Sequence, residues 1–147
     1  MKIVAIASGG GHWIQLQRVV PAFQGHEVTY ISTHPSFAAT VPDHQFYAVP
    51  DASRWNKFRL LLVGYQLLKL MTAIRPDVVI STGAAPGLLA LAAGKLTGAR
   101  TIWLDSIANI EKISMSGQLA LRFADRIYTQ WPKLATGKIE YAGNVLS

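Results

Sequence analysis

The sequence predicts a single α/β domain built on a mostly parallel sheet. Three observations carry that prediction. Short apolar runs alternate with helical patterns along the whole chain, the first run ends in Ser8-Gly9-Gly10-Gly11 ahead of a helix, and 147 residues suffice for one core but not two. Half of the residues are hydrophobic, so that core needs no disulfide or metal to close it. A strand, a glycine turn and a helix in that order make the domain Rossmann-like.

The elements follow in order. Lys2 to Ala7 reads as a buried strand, and His12 to Phe23 as a helix with Pro21 near its end. Glu27 to Thr33 and Gln45 to Val49, rich in β-branched and aromatic residues, read as the second and third strands. Arg54 to Arg75 is the longest helical pattern. Asp77 to Thr82 reads as a fourth strand, and Gly83-Ala84-Ala85-Pro86 turns from it into a small-residue helix ending near Gly98. Thr101 to Asp105, a helix over Ser116 to Ala124, Asp125 to Gln130 and a short strand at Ile139 to Tyr141 complete the pattern. Continuous apolar strands imply helices on both faces and right-handed crossovers. Ligands in such a sheet gather at the carboxyl ends of the strands, which here carry Gly9 to His12, His34, Thr82 to Pro86, Asp105-Ser106 and Gln130-Trp131.

Composition narrows the function. Without cysteine there is no disulfide framework, thiolate metal site or cysteine nucleophile, and a reducing cytoplasm is the expected setting. The opening apolar run is too short for a signal peptide, and no stretch reaches the roughly 18 apolar residues of a membrane-spanning helix. A net charge of +6 favours an anionic partner: a membrane surface, a phosphorylated ligand or nucleic acid. Nucleic acid is set aside, because no recognised binding motif accompanies the charge and the cations sit among apolar residues.

Three glycines between strand and helix let backbone N–H groups approach a phosphate, so Ser8, Gly9, Gly10 and Gly11 are candidate phosphate-binding residues. The plainer alternative is a tight turn whose glycines supply only positive φ. A dinucleotide cofactor, as in a small oxidoreductase-type Rossmann protein, would require a third glycine where Ile14 stands. It would also require an acid where the second strand ends in Ser32-Thr33. No Gly-Lys-Ser/Thr follows, which excludes a Walker loop, and neither cofactor nor metal is expected.

His12, beside the turn, is placed to bond a phosphate, to take a proton from a sugar hydroxyl, or simply to cap and pack. Thr82, Gly83 and Ala84 form a second small-residue turn, and the two together suit a pyrophosphate. Asp105, closing an apolar strand and followed by Ser106, reads equally as a general base and as the cap of the next turn. The Trp131 indole is placed to stack on a sugar or to cover the end of the sheet.

The helix from Arg54 to Arg75 has more apolar surface than one docking face needs. Leu60, Val63, Leu67, Leu70 and Ile74 suffice to meet the sheet. Phe58, Leu61, Leu62, Tyr65 and Leu68 form a second face, bordered by Lys57, Lys69 and Arg75, and the segment contains no acid. Trp55, Lys57, Phe58, Arg59 and Lys69 are thus candidate membrane-binding residues. Complete burial of the helix and a subunit interface are the alternatives.

The block Asp105-Ser106-Ile107-Ala108, Ser114-Met115-Ser116-Gly117, Phe123-Ala124-Asp125 and Gln130-Trp131-Pro132 resembles the Alg14/PssD-type family of oligosaccharide-biosynthesis proteins. Ser8 to His12 and Ser81-Thr82-Gly83 fit the same family, and the glycine turn is shared with MurG-type glycosyltransferases. The resemblance implies the N-terminal half of a two-domain GT-B glycosyltransferase fold. It implies a peripheral subunit on the inner face of the cytoplasmic membrane that binds a lipid-linked saccharide acceptor. The nucleotide-sugar would be bound by a separate donor-binding glycosyltransferase subunit, and this chain would be inactive without it. Asp105 stands where the family often has Glu. The eukaryotic members' N-terminal anchor has no counterpart in this sequence, which shifts the expected membrane attachment onto the basic helix.

Overall fold

A computed structural model describes residues 1–52 and 56–146. Seven strands form one sheet in the order β3-β2-β1-β4-β5-β6-β7. They are β1 (Lys2–Ile6), β2 (Glu27–Ser32), β3 (Gln45–Ala48), β4 (Val78–Ser81), β5 (Arg100–Leu104), β6 (Arg126–Thr129) and β7 (Ile139–Tyr141). Every neighbouring pair is parallel, so the sheet is wholly rather than mostly parallel. The order reverses between β1 and β4, which opens a crevice at their carboxyl ends.

Alternation along each strand splits the core into two. Ile3, Ala5, Tyr30 and Ile80 pack with Trp13 and Leu16 of helix α1 (Gly11–Arg18) on one face. Val4, Ile6, Ile31, Val79, Trp103 and Ile127 pack on the other face. There they meet Val63, Leu67 and Met71 of α2 (Lys57–Ile74), Ala90 and Leu91 of α3 (Ala84–Leu96), and Ala120 of α4 (Met115–Ala120). Each large aliphatic or aromatic side chain buried this way contributes about 1.5–3 kcal/mol.

Helix ends explain where sequence and structure part. The first helix stops at Arg18, short of the expected Phe23, and Val20–Phe23 forms a separate 3-10 turn because Pro21 has no N–H to extend an α-helical ladder. Asn56 caps α2, accepting from the Arg59 N–H at 3.1 Å, and Arg75 closes it in the left-handed conformation ahead of Pro76. Ser114 caps α4, its Oγ accepting from the Gly117 N–H at 2.9 Å. That helix ends at Ala120, short of the expected Ala124, as 3-10-type bonds from Arg122 to Leu119 and Phe123 to Ala120 tighten the chain. Helix α3 lies close on the sheet because Gly94 leaves no side chain against Val79.

Of the two apolar faces read on α2, the docking face is confirmed: Val63 and Leu67 are fully buried, with Leu60, Leu70 and Ile74 packed against the core. Phe58, Leu61, Leu62, Tyr65 and Leu68 are exposed, Phe58 at 87% and Tyr65 at 65%. Lys57, Arg59, Lys69 and Arg75 are exposed beside them. Complete burial of this helix is therefore excluded. Arg54 and Trp55 lie outside the described residues. No helix among the described residues is long and apolar enough to cross a membrane.

Candidate functional site

The crevice at the strand order's reversal is bounded by three loops. The β1–α1 turn brings His12, the β4–α3 turn brings Thr82, Gly83 and Ala84, and the β5–α4 loop brings Asp105, Ser106, Asn109 and Ser114 to Ser116. They enclose a cleft of about 340 Å³. Six of the candidate residues therefore meet in one place. Gly11 and His12 also border an adjoining hollow of about 440 Å³ with Ser106 and Ile107, so His12 stands between the two.

The turns differ in what their glycines accommodate. Gly10 has φ 65°, and a Cβ added there would meet nothing within 4 Å. Its requirement is conformational, and the space beside it is open. Gly83 has φ 149°, and a Cβ there would overlap the His12 ring. Ser8 is buried, Gly9 sits under the His34 ring, and Gly11 is exposed at the start of α1. Neither α1 nor α3 has a side-chain cap, so their first N–H groups stay available at the cleft. Ala84 takes φ 69° at the first position of α3, a backbone state uncommon for a residue with a side chain.

Asp105 is 2% exposed and accepts four hydrogen bonds. Trp103 Nε1 at 2.9 Å and Ser114 Oγ at 2.6 Å donate to Oδ1, while Asn109 Nδ2 at 3.1 Å and the Ser114 N–H at 2.9 Å donate to Oδ2. A carboxylate with both oxygens engaged twice has little room left for a substrate proton. Of the two readings of Asp105, this geometry favours the one that organises the following loop.

Sequence reasoning missed the group that braces this wall. Gln15, one turn into α1 and buried, donates to Ser106 Oγ at 3.1 Å, and its Oε1 accepts from the Ile107 N–H at 3.0 Å. Gln130 donates to Gln15 Oε1 at 2.6 Å and to the Asp105 carbonyl at 3.0 Å. The only signal of Gln15 in the sequence is a polar residue beside Leu16 on the buried stripe of the helix. Trp131 is spoken for: its Nε1 donates to the Ile107 carbonyl at 2.7 Å, so the indole clamps the loop. Among the described residues no three His, Asp or Glu stand together as a metal site.

The architecture is that of one half of a two-domain GT-B fold. It matches Acinetobacter baumannii MurG with a TM-score of 0.79 at 17% identity, over 98% of this chain and 46% of that one. A UDP-N-acetylglucosamine 2-epimerase from Rickettsia bellii matches with 0.74 at 13% identity, over 99% and 45%. At that identity the likeness is one of fold alone. Sequence goes further: residues 52–145 match the family described as "Oligosaccharide biosynthesis protein Alg14 like", and the chain belongs to that family. Two relatives are named UDP-N-acetylglucosamine transferase subunit Alg14. The one from Yarrowia lipolytica is 32% identical over 52% of this chain and 39% of its own length, and that from Schizosaccharomyces pombe is 34% identical over 48% and 37%. The matched stretch spans less than half the length of these relatives.

Proposed function

We propose that this chain is the acceptor-binding and membrane-docking subunit of a heteromeric glycosyltransferase in polysaccharide or exopolysaccharide biosynthesis, with residues 1–147 acting as one unit. The observation that carries the reading is the cleft at the switch point of half a GT-B fold. Two uncapped helix N-termini and one histidine converge there. Membership of the Alg14-like family and the relatives' names as transferase subunits support the reaction class.

In this reading the turn from Ser8 to Gly11 and the turn of Thr82, Gly83 and Ala84 hold the pyrophosphate of a polyprenyl-linked saccharide. The acceptor hydroxyl oxygen attacks the anomeric carbon of the donor sugar, and the bond from that carbon to the nucleoside diphosphate breaks. The hydroxyl proton passes to the His12 imidazole, and the nucleoside diphosphate leaves with the partner subunit. Asp105 and Ser106 shape the wall, and Trp131 holds it. The relatives' names favour UDP-N-acetylglucosamine as the donor.

Helix α2 holds the subunit on the cytoplasmic face of the membrane, where the acceptor's lipid stays. Its exposed apolar face beside Lys57, Arg59 and Lys69 suits an anionic leaflet. The test is transfer from radiolabelled UDP-N-acetylglucosamine to a polyprenyl pyrophosphate saccharide, with this chain alone and with the companion subunit co-expressed. Transfer only by the pair is expected. Robust transfer by the isolated chain would contradict the reading.

A further inference from the structure

The ring of His12 is held by the turn opposite it. Its Nδ1 lies 3.1 Å from the Thr82 carbonyl oxygen, and the Thr82 hydroxyl donates back to the His12 carbonyl at 2.6 Å. Thr82 is fully buried, and His12 is partly buried beside it. A carbonyl oxygen only accepts, which puts the hydrogen on Nδ1. In the neutral ring, Nε2 is then the nitrogen with a free lone pair. Gly83 completes the arrangement, because a Cβ there would fall on the His12 Nδ1 and Cε1 atoms.

We propose that Thr82 and Gly83 are positioning residues that fix His12 in its Nδ1–H tautomer and leave Nε2 as the proton acceptor. This rests on the assignment of His12 as the base. The reciprocal bonds span 70 residues of sequence and tie the two phosphate turns together, so the base and the phosphate-binding backbone are set by one contact. The first bond orients the ring, and the second, from the Thr82 hydroxyl to the His12 main-chain carbonyl, fixes the backbone that carries it. A neutral histidine in water prefers its hydrogen on Nε2, so the opposite tautomer is a diagnostic signature.

Nitrogen-15 NMR of the His12 imidazole in the full chain, at a pH where the ring is neutral, reads the tautomer without any substrate or partner. We expect a protonated Nδ1 and a bare Nε2. Thr82→Val keeps the carbonyl, and with it the Nδ1–H tautomer, but removes the hydroxyl that fixes the His12 main chain; in the reconstituted complex it lowers kcat about tenfold with little change in KM, since small misplacement of a base has such effects. Thr82→Ser, which keeps the hydroxyl, restores kcat. Gly83→Ala displaces the ring and returns it to the Nε2–H form; should that variant fail to fold, the wild-type spectrum and the Val and Ser pair decide the matter. A wild-type ring protonated on Nε2, or equal kcat for Thr82→Val and the parent, overturns the proposal. An Nδ1–H ring combined with full activity of His12→Gln would instead overturn the base assignment beneath it.

Discussion

His12 and Asp105 line the same cleft and have equal claims in the sequence, yet the structure treats them differently. Asp105 spends both oxygens on four donors from its own strand and the following loop. His12 spends one ring nitrogen on the Thr82 carbonyl and is only partly buried. Side chains at one cleft are thus told apart by how many of their polar atoms the fold has already consumed. A group saturated by its own chain holds shape; one with an atom to spare is free for chemistry.

Substitutions at the two positions should separate accordingly. His12→Gln is expected to lower transfer by the reconstituted enzyme about 10²- to 10⁴-fold while leaving the thermal midpoint unchanged. Gly10→Val should reduce acceptor use nearly as severely, because a branched side chain at φ 65° is strained and fills the space a phosphate would approach. The partner complex should survive that change. Full activity of Gly10→Val would make the turn structural only.

Asp105→Ala should do the opposite of His12→Gln. It strips the acceptor from Trp103, Asn109 and Ser114 at once, and calorimetry should show a loss of about 3 kcal/mol in stability. A stable but inactive Asp105→Ala would return that carboxylate to the chemistry. Lys57, Arg59 and Lys69 changed together to Gln should weaken binding to anionic vesicles by about 3 kcal/mol at most, around a hundredfold in partitioning at low salt. Equal cosedimentation of variant and parent would give the exposed α2 face to a protein partner.

The smallest effect is expected at Asp125, whose carboxyl is held below its usual range chiefly by the Lys95 ammonium at 2.6 Å and further by Thr101. A depressed carboxyl stabilises the fold above its unfolded-state value, and that contribution fades as pH falls through the folded-state value. Partly exposed, the group should contribute less than about 1 kcal/mol. Asp125→Asn should therefore cost that much near pH 7 and nothing at strongly acidic pH, as urea midpoints would show.

What the sequence disclosed was whatever depends on periodicity. The apolar strand runs placed all seven strands, and the 3.6-residue spacing separated the buried Val63 and Leu67 from the exposed Phe58 and Tyr65. Glycine turns after β1 and β4 gave four of the six candidate residues that meet in the cleft, and the polar end of the β5 run gave Asp105 and Ser106. Contacts between distant loops have no such period. Nothing in the spacing of Gln15 and Gln130 announces a bond across 115 residues, and the loop carrying Asn109 and Ser114 gives no sign that both reach back to Asp105. The role of Asp105 turned on the course of the loop that follows it, and that of Trp131 on a partner 24 residues away, which is why both had two readings until the fold was in hand.

The central claim is that this half of the fold receives the acceptor while the donor belongs to another chain. Titration calorimetry of the isolated protein with a short-chain polyprenyl pyrophosphate saccharide, and separately with UDP-N-acetylglucosamine, tests it directly. The account predicts heat of binding from the pyrophosphate acceptor, lost in Gly10→Val, and none from the nucleotide-sugar until the companion subunit is added. Binding of UDP-N-acetylglucosamine by the isolated chain, with no binding of the acceptor, would contradict it.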